Sequence, residues 1–416
     1  MTSSRIAGFH SLSRAERLAQ LVALGLLSEA EAGALGQEAG PLAELAESLS
    51  ENVIGAVAVP LGVATNLTVD SADVLVAMAT EESSVIAAVS NGARACRATG
   101  GVSTEADDPC MIAQVQITGL AELPTAKAAV EARAQEIAEL CNACDPMLVR
   151  LGGGFRGLEV RICGPFLVVH LIIDVRDAMG ANAVNTMAEA LAPKLEGWSG
   201  GKVGLRILSN LADRRLVRAR AVWRAEEIGA ERVRGIVSAY EFAAHDPYRA
   251  ATHNKGIMNG ISAVALATGN DTRALEAGAH AFAATKGQAG GYGPLSRYGV
   301  TAEGDLWGEI ELPMAVGIVG GATRAHPTAQ KALKIMQITR ADRLARVMAA
   351  VGLVQNFSAL RALAGEGIQR GHMGLHARNL AIVAGAKGAE IERIARRMIE
   401  RGQIREDVAR ALLAES

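Results

Sequence analysis

LVRLGGGFRGLEVRI, residues 148–162, holds the run Gly152-Gly153-Gly154-Phe155-Arg156-Gly157, which fits the dinucleotide fingerprint G-x-G-x-x-G. Asp174 and Asp177 follow at close to the spacing of a ribose-binding carboxylate, about 20 residues on. In a Rossmann unit such glycines follow a strand and open a helix, so that backbone N–H groups meet the pyrophosphate. Here the order is reversed. TAKAAVEARAQEIAELCNAC (125–144) has helical periodicity and precedes the glycines, while LEVRICGPFLVVHLIIDV (158–175) reads as two strands around a Gly-Pro turn. The glycines are therefore expected to form a tight turn that needs positive φ, and no phosphate loop.

Outward from this turn, CMIAQVQITGL (110–120) reads as a strand, NAVNTMAEALAPKLEGW (182–198) as a helix and KVGLRILSN (202–210) as another strand. The order β-α-β-β-α-β over 109–218 is the split, ferredoxin-like arrangement. It predicts a compact domain inserted into a larger, mainly helical one. Residues 12–50 read as short amphipathic helices, and ENVIGAVAVPLGVATNLTV (51–69) as extended chain. Residues 70–99 read as an apolar helix carrying Glu81 and Glu82. After about 219 the pattern is again mainly helical, broken by TKGQAGGYGPLSRYG (285–299) and GIVGGATRAHP (317–327). The expected organisation is α+β: a large domain from 1–108 and 219–371, a small domain from 109–218, and a mobile C-terminal helical flap from 372–416.

A second candidate for dinucleotide binding lies in LIIDVRDAMGANAVNTMAEAL (171–191), which runs strand, then Asp177-Ala178-Met179-Gly180-Ala181-Asn182, then helix. Small residues let a ligand approach the backbone, and a helix start favours phosphate. An ordinary capped helix shows the same pattern.

Composition narrows the function classes. The 416 residues leave room for roughly two to three domains. Half are hydrophobic but only 3% aromatic, so the core is expected to be built from small and branched aliphatic side chains. A formal charge of −2, from 42 basic against 44 acidic residues, gives no basis for nucleic-acid or membrane-surface binding. No stretch resembles a signal peptide, and FLVVHLIID (166–174) falls far short of the roughly 18 residues a membrane span needs, so a soluble cytoplasmic protein is expected. Five scattered cysteines argue against a disulfide framework; Cys141 and Cys144 form one CxxC on a helical pattern, read as helix-end packing. His372 and His376 have zincin spacing, but Met373 stands where a zinc hydrolase needs its glutamate. No metal is expected.

Several stretches occur together and in order: ENVIGAVAVP (51–60), ATEESSVIAAVSNGA (79–93), DVRDAMGANAVNTMAE (174–189), RILSNLADRR (206–215), DPYRAATHNKGIMNGI (246–261), ATGND (267–271) and EGIQRGHMGLHARN (366–379). Together they resemble 3-hydroxy-3-methylglutaryl-coenzyme A (HMG-CoA) reductase of the soluble bacterial class II form, to about residue 390. The resemblance implies a four-electron interconversion of HMG-CoA with mevalonate and free CoA, by two hydride transfers through mevaldehyde. It implies four catalytic positions. Lys255 would polarise the carbonyl and hold the oxyanion, Glu82 would donate a proton, Asp271 would join both in one hydrogen-bonded network, and His372 would protonate the departing thiolate. A straight helix over 256–268 would hold its ends roughly 20 Å apart, so Lys255 and Asp271 can meet only if the chain turns back.

The resemblance further implies that Arg249 pairs with the HMG carboxylate and that Ser84, Asn259 and Gln355 supply hydrogen bonds around it. SRIAGFHSLS (4–13) matches a CoA-contacting segment, with His10 where arginine is expected. For the nicotinamide cofactor the implied positions are Asp145, Asp177, Met179, Gly180, Asn182 and Asn210. A carboxylate at 145 repels a 2′-phosphate and favours NAD(H), while Arg150 nearby is able to accept NADP. A homodimer with the active site at its interface is implied, with ENVIG in the interface region. A non-catalytic CoA- or nucleotide-binding regulator that kept the fold would lose at least one of the four catalytic residues; all four are present.

Overall fold

The computed structural model describes residues 6, 8–38, 43–286, 291–365 and 368–415, and excludes the side chains of 38, 43, 44, 322, 368–373 and 375. The inserted segment forms a four-stranded sheet from β4 (Cys110–Thr118), β5 (Gly154–Cys163), β6 (Phe166–Asp174) and β7 (Lys202–Ser209). Its order is β5-β6-β4-β7 with every neighbouring pair antiparallel, which is the ferredoxin-like order expected from the sequence. Alternation explains it: Met111, Val115 and Ile117 of β4 and Leu167, Val169 and Leu171 of β6 face Val184, Met187 and Leu191 of the helix Ala181–Ser199. The glycine run is the turn into β5. Gly152 and Gly154 have φ of 83° and 101°, and a Cβ on Gly154 would lie 2.5 Å from Asn142 Oδ1.

The larger unit holds a sheet that the sequence reading missed. Its order is β2-β1-β3-β8-β10-β9, from β1 (Leu61–Val69), β2 (Ala72–Ala79), β3 (Val102–Ala106), β8 (Leu216–Trp223), β9 (Ser296–Val300) and β10 (Leu306–Pro313). Residues 72–79 are thus a strand and not the start of a helix, and Glu81 and Glu82 stand on the turn that follows it. Short apolar runs such as DVLVAMA are ambiguous between buried strand and buried helix. The pairing Val69↔Ala72 decides it, through a two-residue hairpin whose Asp70 and Ser71 sit at φ 51° and 65°.

Three helices, Val85–Cys96, Pro247–Ala267 and Ala341–Leu363, pack against one another and the sheet. Small residues let them meet. A Cβ on Gly92 would lie 2.3 Å from the Val354 carbonyl, one on Gly260 2.9 Å from Val351, and one on Gly352 2.8 Å from Ile261. Trp223 is fully buried, stacks on Phe357 at 4.1 Å and donates from Nε1 to the Gly92 carbonyl at 3.2 Å.

A third apolar cluster, around Ala377, Ile394, Met398 and Leu412, belongs to the C-terminal helices Ile368–Val383, Ala389–Glu400 and Glu406–Ala414. At the other end Ser13 and Glu16 form a capping box that starts the helix Arg14–Ala23. Among the described residues no helix is long and apolar enough to cross a membrane. All five cysteines are free, and burial pushes the Cys141 thiol up to about 12.

The two sheets are joined by a buried cation. Arg215 donates to the carbonyls of Ala178 (3.2 Å) and Met179 (3.3 Å) on the small-sheet side and of Val316 (2.6 Å) on the other.

Candidate active site

A cavity of about 970 Å³ lies among the helices Val85–Cys96, Pro247–Ala267 and Ala341–Leu363. The helix Pro247–Ala267 starts sharply, with Pro247 in its first turn and the Asp246 carboxylate accepting from Arg249 N at 2.7 Å. That start fixes the phase of the helix. Arg249, His253, Lys255 and Asn259 consequently all border the cavity. Opposite them, Ser84 at φ 74° ends the turn after β2 and brings Glu82 to the same wall.

Lys255 and Asn259 are one helical turn apart and engage one carboxylate. Lys255 Nζ donates to Glu82 Oε2 at 2.8 Å and Asn259 Nδ2 to Glu82 Oε1 at 3.3 Å. The pair remains open to solvent, with the lysine side chain 59% and the glutamate 40% exposed. Arg249 forms no ion pair among the described residues, and burial pulls its guanidinium below the usual arginine range. Gln355 is buried, and among the described residues its Oε1 has no hydrogen-bond partner.

The implied three-membered network does not form in this structure. Asp271 caps the helix Thr272–Ala283, accepting from the backbone N–H of Arg273 at 2.9 Å and Ala274 at 3.1 Å, and pairs with the Arg273 guanidinium at 3.2 Å. Its carboxylate is held by its own helix, and Asn259 takes the place beside Lys255 and Glu82 that the resemblance gave to Asp271. The chain does turn back after Ala267, through Gly269 at φ 67°. Thr272 and Arg273 thereby share a neighbouring hollow of about 490 Å³ with Glu82 and Asn259. His372 falls within the helix Ile368–Val383, and its side chain lies outside the described residues. His376 is exposed.

None of the six cofactor candidates lines the large cavity. Asp177 Oδ1 accepts from Ala341 N at 2.7 Å and so caps the long helix Ala341–Leu363. The Met179 carbonyl is held by Arg215. Gly180 starts the helix Ala181–Ser199 at φ 105°, where a Cβ would meet Val175 at 2.7 Å. Asn182 and Asn210 are exposed. Asp145 caps the helix Pro146–Arg150, accepting from Leu148 N at 2.9 Å beside the glycine turn.

Sequence reading missed several residues of the cavity wall, His253, Arg94, Arg232 and Arg361 among them. His253 stands two positions before Lys255 in the same motif, and it is buried. Arg94 continues the stripe Ser84, Ala87, Ala88, Asn91 down one face of its helix, a periodicity that would have found it. Arg232 and Arg361 come from distant segments and carry no local signal.

A search of family models matches residues 13–377 to hydroxymethylglutaryl-coenzyme A reductase. The chain is 55% identical to 3-hydroxy-3-methylglutaryl-coenzyme A reductase of Archaeoglobus fulgidus, over 99% of this chain and 94% of that one. It is 35% identical to a probable reductase of Borreliella burgdorferi, over 79% and 76%. Among solved structures, the Streptococcus pneumoniae reductase superposes with a TM-score of 0.77 at 39% identity, over 98% of this chain and 99% of that one. The class II enzyme from the same organism, bound to NADPH in open conformations, gives 0.76 at 39%, over 97% and 99%. With its ferredoxin-like insert, its helix-lined cavity and these relatives, the chain belongs to the hydroxymethylglutaryl-coenzyme A reductase family, in its class II form.

Proposed function

We propose that this protein interconverts HMG-CoA with (R)-mevalonate and CoA, taking two hydrides and two protons per thioester in the reductive sense, and that NAD(H) is its preferred cofactor. The observation that carries the reading is the Lys255–Glu82–Asn259 cluster at the wall of a cavity also lined by Ser84, Arg249 and Gln355. A bound nicotinamide supplies hydride. Lys255 places a cation where the thioester and aldehyde oxygens gain negative charge. Glu82, within hydrogen-bond reach of that cation, delivers the proton to the aldehyde oxygen. Asp271, which caps the helix Thr272–Ala283, joins Lys255 and Glu82 on binding of the substrate, and His372 is the proton donor to the CoA thiolate when the C-terminal helices close as a flap.

The remote end of the cavity fits the rest of the substrate. Arg94, Arg232 and Arg361 line it, and among the described residues none is paired with a carboxylate. Burial, then the Arg232 and Arg94 charges, pull the Arg361 guanidinium below its usual range, as expected for uncompensated cations held together. Ser84 and Arg94 are separated by about 15 Å along their helix, the length of an extended pantetheine arm. The three guanidinium groups suit the phosphates of CoA.

For the nicotinamide dinucleotide the residues present fit. The helix Ala181–Ser199 opens without a side-chain cap behind Gly180, and Gly317 lies so close to Met179 that a Cβ would meet its N at 2.4 Å. Asp177, Met179, Gly180, Asn182 and Asn210 would hold it, with Asp145 at the adenosine ribose. The three apolar clusters support a division into a large domain (1–108 and 219–371), a nucleotide domain (109–218) and the flap (372–416), although Val217 and the rest of β8 pack with the large domain and Ala315 with the nucleotide domain. The cofactor positions lie apart from the substrate cavity within one chain, which supports a homodimer that presents them from different subunits. Exposed Leu61, Val63 and Leu75 on β1 and β2, with Val57 and Val59 in the segment leading into β1, supply an apolar surface for it.

The test follows absorbance of the reduced nicotinamide with HMG-CoA and NADH or NADPH, and the reverse with mevalonate, CoA and each oxidised form. Turnover preferring NAD(H) is expected. NADP preference would move the selectivity to Arg150 and leave the reaction standing, whereas no turnover in either sense from a folded protein would overturn the reading.

A further inference from the structure

His253 is a buried residue of the cavity wall to which no role has been given. Its ring is 1% exposed, and burial followed by the Arg249 charge pushes it down to about 3, so it is neutral in the working range. Its tautomer follows from its neighbours. Ser296 Oγ and Tyr298 Oη both donate to Asn356 Oδ1, at 2.8 and 2.9 Å. The Ser296 hydrogen is therefore engaged, and the 2.6 Å contact between His253 Nε2 and Ser296 Oγ requires that Nε2 carry the ring hydrogen. Nδ1 is left with a lone pair, and it is a buried atom without a hydrogen-bond partner among the described residues. Gln355 Oε1, also at the cavity, is a second buried acceptor in want of a donor. A ligand that satisfies this wall brings hydrogens to it.

The order of residues along one helix indicates which hydrogen. Arg249 and His253 are one turn apart, and Lys255 and Asn259 follow. HMG-CoA presents its groups in the same order: carboxylate, then tertiary hydroxyl two carbons on, then thioester. We infer that His253 is a specificity-determining residue, whose Nδ1 accepts the hydrogen bond of the substrate's tertiary hydroxyl. The inference rests on the proposed function and adds to it the reason a 3-hydroxy acyl group is selected. An acyl-CoA lacking that hydroxyl leaves Nδ1 buried and unsatisfied, which disfavours it by about 10- to 100-fold in affinity.

The experiment measures binding of HMG-CoA and of 3-methylglutaryl-CoA, the same thioester with hydrogen in place of the hydroxyl, by calorimetry without nicotinamide. The wild type is expected to prefer HMG-CoA by about 10- to 100-fold. His253→Gln keeps a donor for Ser296 at the Nε2 position but leaves no acceptor at the Nδ1 position, and is expected to bind both ligands at the level of the analogue. His253→Asn keeps an acceptor near Nδ1 and is expected to retain the preference. Equal binding of both ligands by the wild type, or equal weakening of both in His253→Gln, would overturn the inference. In the unmutated protein, the ¹⁵N resonance of Nδ1 is expected to move with HMG-CoA and not with the analogue, and an equal response to both would also overturn it. HMG-CoA failing to bind at all would instead overturn the proposed function.

Discussion

Lys255 and Glu82 hold their ion pair in the open, at 2.8 Å with both side chains well exposed. Such a pair contributes little to stability, because solvent screens it. Lys255→Ala is accordingly expected to change unfolding free energy by less than about 1 kcal/mol, as measured by urea denaturation, so that any loss of turnover in this variant reports on chemistry. His253 behaves in the opposite way. Its folded value near 3 lies below the 6.5 of an unperturbed imidazole. Between those two values the unfolded chain binds a proton that the folded chain does not. Stability therefore falls as pH is lowered from about 6.5 toward 3, by up to about 1.4 kcal/mol per unit. His253→Gln is expected to flatten this slope in urea midpoints compared at pH 7 and pH 5. Lys255 and Glu82 could be placed from the motifs that carry them, and the structure brings them together. The capping role of Asp271 was not legible, because TGNDTR equally suits a helix start and a site carboxylate, and only the fold shows which backbone N–H groups its oxygen accepts from.

At the scale of elements, the cavity depends on three helices meeting closely. Gly92 is where two of them touch, with the Val354 carbonyl and Ser358 Oγ 2.3 and 2.6 Å from the place a Cβ would occupy. Gly92→Ala is expected to cost about 1–3 kcal/mol of stability by overpacking and to weaken HMG-CoA binding, since the same helix carries Ser84 and Arg94. Calorimetric binding and urea unfolding of the variant check both parts. The small sheet was legible because its strands and helices alternate with distinct periods and its glycines fall between a helix and a strand. The large sheet was not. β2 is a short apolar run, and β8, β9 and β10 are scattered through helical sequence and pair across long separations, as in Val102↔Ala221 and Leu306↔Trp223. No local pattern encodes such partners.

At the scale of the whole molecule, Arg215 ties the two sheets together at the proposed nucleotide turn. It is 4% exposed, and its three carbonyl partners come from both sides of the junction. Asn270, next to Asp271, reaches the same place by accepting from Gly317 N at 2.8 Å. The turn at Ala178–Gly180 is therefore fixed relative to the helices of the cavity by Arg215 and Asn270. Arg215→Met is expected to raise KM for the nicotinamide cofactor by about tenfold or more while leaving HMG-CoA affinity within about twofold. Initial-rate kinetics and calorimetry separate the two effects, and equal weakening of both ligands would show that the arginine serves the fold alone.

In the proposed reaction Lys255 stabilises negative charge on the reacting carbonyl. The most direct test of this role is oxidation of reduced nicotinamide by HMG-CoA with wild type and Lys255→Ala side by side, at saturating concentrations of both ligands. Wild-type turnover with a loss of about 100- to 1,000-fold or more in kcat, and HMG-CoA still bound by the variant, is the predicted result. Undiminished turnover by Lys255→Ala would show that this cation does not stabilise the reacting carbonyl.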